Sequence, residues 1–210
     1  MDTKKVSKKL LERLPSYLDY LRSLPEDTVN ISATAMAKAL GRGDVQVRKD
    51  LAKISDGGRR RTGHLRQKLL EDIESFMDYN SVTRTVVIGA GKLGQALLDY
   101  GGFADSGLEV LAGFDRDPRM THTSGGTPVY PMEQLAKFCR KHDVSIGVIT
   151  VPAYSAQEVA DRLIECGIQA IWNFAPVNLN VPSHVLVQNE NLAISLSALR
   201  MQLKTRDMHK

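Results

Sequence analysis

The feature of this sequence that most constrains its fold is a glycine-rich turn between a β-branched run and a helical segment. The run Thr85 to Ile88 precedes the turn, the helical segment Gln95 to Tyr100 follows it, and the turn itself reads Gly89-Ala90-Gly91-Lys92-Leu93-Gly94. In this G-x-G-x-x-G spacing the first glycine permits a tight turn, the second lets the backbone approach a pyrophosphate, and the third lets the helix pack closely on the strand. The turn therefore predicts a nucleotide-binding βαβ unit, with phosphates at the N-terminus of the helix.

Strands and helices alternate after this turn. Apolar strands are predicted at 110–114, 144–151 and 170–173, and helices at 132–141 and 156–166. Such alternation implies a parallel sheet with right-handed crossovers. We therefore predict an α/β protein whose residues 81–190 form a Rossmann-type parallel-sheet domain.

An acidic residue at the end of the second strand indicates which dinucleotide this domain prefers. Asp115 lies 21 positions beyond Gly94. A carboxylate at this place accepts hydrogen bonds from the adenine ribose and repels a 2′-phosphate. NAD(H) is therefore predicted as the cofactor, although Arg116, directly after the carboxylate, weakens the preference over the phosphorylated form.

Two later strand ends are predicted to line the nicotinamide half of the crevice. Pro152 and Ala153 follow the strand at 144–151, and Asn173 ends the strand at 170–173. In an open α/β sheet the carboxyl ends of the strands line the ligand crevice, so we expect these residues to face the cofactor. The alternative is that Asn173 and Pro152 only shape turns.

The predicted crevice lacks the side chains of an enzyme. Its loops offer no histidine, lysine or paired carboxylate placed as a general acid or base, and of the five scattered histidines only His122 is a candidate to come near the cofactor. Cys139 and Cys166 show neither C-x-x-C spacing nor a nearby histidine cluster, so neither a disulfide nor a metal site is predicted. Cofactor binding without catalytic residues indicates a sensor.

The positive charge of the chain is concentrated in its first part. Residues 1–79 carry 16 Lys and Arg against 12 Asp and Glu, and residues 42–68 alone carry nine basic and three acidic side chains. A local basic concentration on a small domain is typical of a polyanion partner, and the alternative is a solvated charged face. Residues 1–80 are therefore a candidate DNA-binding domain.

Helical periodicity supports a helix-turn-helix in this region. Leucines at helical spacing predict a helix at 10–21, which Pro15 either kinks or restarts. Ser32 is the expected N-cap of a helix at 33–40, and Asp44 is the expected N-cap of a third helix at 45–54. The third helix places its polar and basic residues away from its apolar side, as the major groove requires, and those predicted to contact DNA are Gln46, Arg48 and Lys49.

An arginine-rich segment follows the third helix. Residues 56–64 read as a glycine-hinged hairpin with Arg59, Arg60 and Arg61 at its tip. Three adjacent guanidinium groups repel one another unless an anion is close, so we predict a wing that contacts phosphates. The alternative is a solubilising loop.

An amphipathic connector is predicted at 65–83, with Leu65 in its apolar stripe.

The last segment, 191–210, has two apolar faces at helical spacing. One Rossmann surface cannot cover both, which predicts packing against a second subunit in a homodimer. Burial within the monomer is the alternative.

The sequence contains no apolar run long enough for a membrane span and no signal peptide, so we expect a cytoplasmic protein that does not bind membranes.

These stretches, in this order, resemble the bacterial redox-sensing transcriptional repressor family Rex over nearly the full length. The resemblance is carried by Arg13-Leu14-Pro15 with Tyr17-Leu18, 46–51, 89–94, 114–115, 150–153, 156–157, 167–168 and 173–176. It implies a winged helix-turn-helix head and a swapped C-terminal helix. It also implies a homodimer that binds palindromic double-stranded operator DNA when NADH is scarce and releases it when NADH binds.

The resemblance also implies roles for individual residues. Implied DNA contacts are Arg13, Gln46, Arg48, Lys49 and Arg60, and implied cofactor contacts are Gly89, Gly91, Lys92, Leu93, Gly94, Asp115, Pro152 and Ala153. Tyr100 matches a tyrosine that the family links to nicotinamide sensing.

The chain departs from the family pattern at four positions. Asp19 and Asn191 stand where many members have an arginine and an aspartate, so the charged pair between that arginine and that aspartate is not available here in its usual form. Arg61 and His64 stand where the family more often has a glycine and a tyrosine.

Two other functions stay open at this point. They are an NAD-dependent dehydrogenase with a basic accessory domain, and a DNA-binding protein whose sheet domain takes coenzyme A or another nucleotide.

Overall fold

The computed structural model describes residues 7–59, 62–77 and 81–207. The chain divides into two compact units after Ser81. We call the first unit the head and the second the sheet unit. None of the helices in the described residues is long and apolar enough to cross a membrane.

Helices and one small antiparallel sheet make up the described part of the head. In chain order its elements are α1 (Lys8–Leu11), α2 (Leu14–Ser23), β1 (Asn30–Ile31), α3 (Ala33–Ala39), α4 (Asp44–Ile54), β2 (His64–Leu65) and α5 (Arg66–Phe76). Helices α3 and α4 joined by a short turn form the helix-turn-helix, and strand β2, after α4, pairs with β1, which precedes α3. The head therefore has the predicted winged helix-turn-helix architecture.

Local sequence determines where the helices of the head begin. Pro15 lies in the first turn of α2, where its missing N–H costs nothing, so the predicted first helix restarts at this proline. The Oγ of Ser32 accepts a hydrogen bond from the backbone N–H of Ala35 at 3.0 Å, which confirms Ser32 as an N-cap. The prediction that Asp44 caps α4 is wrong, because Gly43 is the N-cap and Asp44 is the first helical residue.

The core of the head contains side chains from all five helices and from β1. Its buried members include Leu10, Leu14, Tyr17, Leu18, Leu21, Ile31, Met36, Val47, Leu51, Ile54, Leu69 and Ile73. Helix α5 is part of this core and not a separate connector, because Leu69 and Ile73 are fully buried in it. Leu65 does not belong to the apolar stripe of α5, since it lies in β2 and is 54% exposed.

The sheet unit alternates strands and helices. Its elements are β3 (Thr83–Ile88), α6 (Lys92–Leu98), β4 (Leu108–Asp115), β5 (Val129–Pro131), α7 (Leu135–His142), β6 (Ile146–Ile149), α8 (Ala153–Glu165), β7 (Ala170–Asn173), β8 (Leu186–Asn189) and α9 (Leu192–Asp207). The six strands lie in the order β5-β4-β3-β6-β7-β8 and all neighbours are parallel. This is the Rossmann order, which confirms the predicted fold class.

Side chains of successive residues in β3 point to opposite faces of the sheet. Val86 and Ile88 pack into a core shared with α7 and α8, whereas Val87 packs with Leu98 of α6 on the other face. Both faces are therefore covered by helices, as a parallel sheet requires.

Two helices begin earlier than predicted, and two strands were not predicted. Helix α6 begins at Lys92 and ends at Leu98, so Tyr100 lies outside it, next to a 3₁₀ segment at Gly101–Ser106. Helix α8 begins at Ala153. The edge strands β5 and β8 are three and four residues long, too short for a recognisable alternation.

Helix α9 leaves its apolar side chains in solvent. The exposed fractions of six of them lie between 48% and 69%, and these are Leu192, Ile194, Leu196, Leu199, Met201 and Leu203. Burial within the monomer, the alternative considered for this helix, is therefore wrong. An exposed apolar surface of this kind is typical of a helix that packs against another chain.

Candidate nucleotide site and nucleic-acid interface

The register of the sheet aligns the predicted cofactor residues at one edge. Ile88 of β3 is paired with Phe114 of β4 and with Ile149 of β6, and Ile149 is paired with Asn173 of β7. The residues that follow each partner therefore lie side by side at the carboxyl ends of the strands. The structure brings together the glycine turn, Asp115, the segment 150–153 and Asn173.

The three glycines of the turn meet different surroundings. Gly89 has φ of +97°, a conformation that favours glycine. A Cβ on Gly94 would overlap the carbonyl oxygen of Gly89, so helix α6 packs against the turn at a distance that only glycine allows. A Cβ on Gly91 would have no described atom within 4 Å. The space above Gly91 is therefore open, as a backbone that approaches a pyrophosphate requires.

Three side chains hold the turn in place. Asp115 accepts a hydrogen bond from the N–H of Ala90 at 2.6 Å and a second from the N–H of Asp117 at 2.8 Å. Nε2 of Gln95 donates to the carbonyl of Ala90 at 2.8 Å, and Oγ1 of Thr150 donates to the carbonyl of Gly89 at 2.7 Å. The hydrogen bonds of Gln95 and Thr150 to the turn were not predicted, because they appear only in the fold.

The remaining candidates around the turn differ in exposure. Lys92 is exposed at the first position of α6, and Leu93 beside it is half-buried. Pro152 and Ala153 are exposed where α8 begins. Arg116 reaches across this edge of the sheet, since its Nη2 donates to the hydroxyl of Tyr154 at 3.3 Å.

Asn173 is fully buried and its amide is bonded within the protein. Its Nδ2 donates to the carbonyl of Val177 and to Oδ1 of Asn189, both at 2.8 Å, and its Oδ1 accepts from the N–H of Ala175 at 3.0 Å. These bonds support the alternative that Asn173 shapes the turn after β7. A contact from its side chain to the cofactor stays a prediction.

Tyr100 is 59% exposed and begins a row of aromatic rings. Its ring meets that of Phe103 edge-on at 4.9 Å, Phe103 meets Trp172 at 6.0 Å, and Trp172 meets Phe174 at 4.5 Å. The row joins the segment after α6 to the carboxyl end of β7. Tyr100 and Phe103 also line an open apolar groove of about 420 Å³.

Asp99 organises the loop after β4. Its carboxylate accepts hydrogen bonds from the hydroxyls of Thr123 and Thr127 and from the N–H of Gly125. These bonds, led by that of Thr123, hold the pKa of Asp99 below its ordinary value.

His122 lies in this loop and is exposed, so it is available at the surface and not part of a buried acid–base pair.

The cysteines do not form a reactive centre. Burial raises the pKa of the Cys139 thiol to about 12 and also raises that of Cys166. A thiol with a raised pKa is a poor nucleophile at neutral pH. Across residues 7–59, 62–77 and 81–207 there is also no cluster of three or more His, Cys, Asp or Glu side chains that could hold a metal ion.

The recognition helix of the head is α4, the second helix of the helix-turn-helix. Gln46, Arg48 and Lys49 are exposed on it, as predicted, while Val47 and Leu51 are buried on its other side. Arg48 forms an ion pair with Asp44 at 2.9 Å and donates to the hydroxyl of Thr34 at 3.2 Å. The exposed face of α4 therefore presents an amide and two cations.

Arg13 lies beneath this face. Its guanidinium forms two hydrogen bonds, at 2.7 and 2.8 Å, with the carboxylate of Asp50, whose side chain is 2% exposed. The buried ion pair of Asp50 was not predicted, because its partner Arg13 is 37 residues away in the chain. The DNA contact that the resemblance implied for Arg13 stays a prediction.

The described residues on either side of the tip of the predicted wing are paired with each other. The N–H and carbonyl groups of Arg59 and Gly63 bond reciprocally at 2.8 and 2.9 Å. Arg60 and Arg61, both predicted DNA contacts, lie outside the described residues. His64 packs against Gly58 at the base, and burial lowers the pKa of its imidazole, which favours the neutral form.

Comparisons with known proteins support both halves of this description. Residues 80–177 match the family described as "CoA binding domain", and residues 5–52 match the one described as "Putative DNA-binding protein N-terminus". A redox-sensing transcriptional repressor Rex from Porphyromonas gingivalis is 38% identical over 98% of this chain and 94% of its own length. The Rex protein from Pelotomaculum thermopropionicum is also 38% identical, over 99% of this chain and 98% of its own.

Solved structures agree with this similarity over nearly the whole chain. RSP, a Rex-family repressor, in complex with β-NAD⁺ and operator DNA has a TM-score of 0.89 at 32% identity, covering 98% of this chain and 95% of that one. RSP in complex with β-NADH has a TM-score of 0.86 at 32% identity, covering 97% of each chain.

Proposed function

Since this chain belongs to the Rex family of redox-sensing transcriptional repressors, we propose that it binds operator DNA through its head and releases the DNA when NADH occupies its sheet unit. The observation that carries this proposal is that one relative, similar over nearly its whole length, has been solved with NAD⁺ and operator DNA and also with NADH. The protein is a regulator and not an enzyme, as its relatives are.

The residues of the sheet unit fit a dinucleotide. The open space at Gly91 suits a pyrophosphate, and Asp115 at the end of β4 suits the ribose hydroxyls. We assign the cofactor contacts to the turn 89–94, Tyr100, Asp115, Pro152, Ala153 and the region of Asn173. When bound, the dinucleotide would be either oxidised (NAD⁺) or reduced (NADH). The protein would distinguish these two forms by binding and would not interconvert them.

We assign DNA contact to Gln46, Arg48 and Lys49 on α4, and to Arg59 with its neighbours Arg60 and Arg61 in the wing. The exposed cations of α4 suit phosphates, and an exposed amide suits a base edge. Two heads in a homodimer would read a palindromic operator.

A homodimer assembled through α9 completes the proposal. Six large apolar side chains of this helix are exposed in the monomer, and a second subunit would cover them. We propose that residues 191–210 are the exchanged segment, that residues 1–80 and 81–190 are the two other domains, and that the repressor acts in the cytoplasm.

The switch follows from differential affinity. A ligand shifts a conformational equilibrium only if it binds one state more tightly than the other. NADH must therefore bind the DNA-free dimer more tightly than the DNA-bound dimer, and by linkage operator DNA weakens NADH binding by the same factor.

A binding experiment on the purified chain tests the cofactor assignment. NADH is titrated while its fluorescence is followed, and coenzyme A, NADPH and NAD⁺ are then added as competitors. We expect NAD⁺ to displace NADH and coenzyme A to leave it bound. Displacement by coenzyme A at similar concentrations would overturn the assignment. Coenzyme A would then be the favoured ligand of the sheet unit, in agreement with the family that residues 80–177 match.

A further inference from the structure

A buried carboxylate lies directly beneath the exposed face of the recognition helix. Asp50 of α4 is 2% exposed, and its two oxygens accept four hydrogen bonds. Nε and Nη2 of Arg13 donate to it at 2.7 and 2.8 Å, and the hydroxyl of Tyr17 donates at 2.8 Å. The fourth donor is Nε2 of Gln46, at 2.8 Å from Oδ1.

These donors keep Asp50 ionised. Burial alone would raise the pKa of its carboxyl, but the hydrogen bonds from Arg13, Tyr17 and Gln46 and the charge of Arg13 hold the pKa below the ordinary value. At neutral pH the group is therefore a carboxylate, which accepts hydrogen bonds and has none to donate.

The side-chain amide of Gln46 can therefore bond to Asp50 in only one orientation. Only the amine end of the Gln46 amide can face the carboxylate, so Nε2 is directed to Asp50 and Oε1 is directed away from it. Gln46 is exposed on α4. Among the contacts of the described residues, its carbonyl oxygen and its second N–H have no partner, so both can bond to a group outside the head.

We propose that Asp50 is a positioning residue for base recognition, which holds the Gln46 amide in the orientation that reads adenine. In the major groove adenine offers the N6 amine as a donor and N7 as an acceptor, and these match Oε1 and the second N–H of Gln46. This inference rests on the proposed function, because it requires α4 to enter the major groove of an operator.

The alternative orientation would read a different base. If its amide turned over, Gln46 would present its amine outward, which suits the O6 and N7 acceptors of guanine. The ionised carboxylate of Asp50 excludes this orientation. Arg13 and Tyr17 contribute to recognition by holding Asp50, without any need to touch DNA themselves.

A second pair on α4 has the same spacing but different surroundings. Arg48 and Asp44 are also four residues apart, with side chains 64% and 36% exposed. An exposed pair of this kind constrains its members weakly. Asp44 does not contact Gln46 among the contacts of the described residues, so it provides a matched control for Asp50.

The test measures base preference and not only affinity. An operator is first selected from random duplex DNA by the wild-type protein, and affinities are measured for it and for every single base-pair variant. The position at which Gln46→Ala loses discrimination identifies the base pair that Gln46 reads. There the wild type should prefer A·T over G·C about tenfold.

Asp50→Asn should reduce this preference to within about threefold, or reverse it, because an amide at position 50 can face Gln46 with an amine. Preferences at the other positions should stay unchanged, and Asp44→Asn should keep the wild-type preference at the Gln46 position. An unchanged preference for A·T in Asp50→Asn, or an equal loss at every position, would overturn the proposal. If the wild type selects no operator, the proposed function itself fails.

A measurement on the wild type covers the case in which Asp50→Asn does not fold. The side-chain amide signals of Gln46 are assigned in a nitrogen-15 NMR spectrum by their loss in Gln46→Ala. We expect one of its two amide protons to be shifted downfield and protected from exchange by the bond to Asp50. Two signals at the positions of a free glutamine, with rapid exchange, would overturn the proposal.

Discussion

The carboxylate of Asp115 accepts a hydrogen bond from the backbone N–H of Ala90 at 2.6 Å, so the end of strand β4 holds the glycine turn that follows strand β3. The same carboxylate accepts from the N–H of Asp117 at 2.8 Å. Each carboxylate oxygen has two lone pairs, so both can accept another hydrogen bond. Asp115 can therefore bind ribose hydroxyls while it positions the turn that receives the phosphates.

Replacement of Asp115 should separate cofactor binding from DNA binding. Asp115→Asn removes the charge that strengthens the hydrogen bonds from the ribose, and hydrogen bonds to charged groups contribute about 1.5–3 kcal/mol. We expect NADH to bind at least about tenfold more weakly, measured by fluorescence titration, because about 1.4 kcal/mol corresponds to tenfold. Operator affinity in the absence of nucleotide should not change.

Asp143→Asn is the matched control, because Asp143 is 89% exposed and lies away from the carboxyl ends of the strands. It should bind NADH as the wild type does. Equal NADH affinity in Asp115→Asn and Asp143→Asn would contradict the role of Asp115.

Two glycines of the turn should respond differently to the same substitution. Gly91→Ala adds a methyl group to open space in the protein, so the unfolding temperature should stay within about 2 °C of the wild type, which corresponds to less than about 1 kcal/mol. NADH binding should be lost, because the methyl group occupies the approach of the pyrophosphate. Calorimetry and fluorescence titration measure the two effects.

Gly94→Ala should destabilise the sheet unit as well, since its methyl group would overlap the carbonyl oxygen of Gly89. We expect a loss of about 1–3 kcal/mol, typical of overpacking. If Gly91→Ala binds NADH as tightly as the wild type, the phosphates do not lie at this turn.

Removal of Arg13 should destabilise the head by leaving a buried charge without its partner. Breaking a buried ion pair costs about 3–5 kcal/mol, and Arg13 and Asp50 are 16% and 2% exposed, so we expect about 3 kcal/mol for Arg13→Ala. Urea unfolding followed by circular dichroism measures the loss. The single tryptophan, Trp172, reports the sheet unit separately by fluorescence.

The ion pair of Arg13 with Asp50 also predicts how the loss of stability in Arg13→Ala depends on pH. In the wild type the pKa of Asp50 is lowered, so the stability that this group contributes is present above about pH 4 and is lost as the pH falls through the lowered pKa. Without Arg13, burial raises the pKa of Asp50, and the folded variant takes up a proton at a higher pH. The difference between the two proteins should therefore shrink from pH 7 to pH 5, and a difference that is independent of pH would contradict this account.

Charges placed on α9 should dissociate the dimer. Leu199 and Leu203 are 54% and 48% exposed in the monomer and lie one helical turn apart. The double variant Leu199→Glu and Leu203→Glu should sediment as a monomer at concentrations where the wild type is a dimer, because burying unpaired carboxylates is costly. Gln202→Glu, an exposed polar position on the same helix, should remain dimeric. A dimeric double variant would show that α9 is not the interface.

Features of the nucleotide site that depend on local spacing could be predicted from the sequence. The glycine turn and Asp115 are separated by one helix and one strand, and the sheet register then places them side by side. Gln95 and Thr150 could not be assigned in the same way, because their roles consist of hydrogen bonds to the turn that appear only in the fold. Asp50 was missed for a related reason, since a charged residue on a basic helix indicates a surface position.

The boundaries that were predicted wrongly have physical causes. Helix α6 was expected to begin at Gln95, yet it begins at Lys92. Gly94 lies inside it although glycine is a poor helix former, because only glycine allows the close packing against Gly89. Asp44 was expected as an N-cap, but its carboxylate bonds to the hydroxyl of Thr34 at 2.8 Å and to Arg48 instead of the backbone of α4.

Operator affinity of the wild-type dimer with saturating NAD⁺, compared with saturating NADH at the same salt concentration, tests the central claim most directly. The proposed coupling predicts that NADH weakens operator binding by about five- to 150-fold relative to NAD⁺, the usual range of coupling between two sites. Equal affinity with the two nucleotides, both shown to be bound, would contradict it.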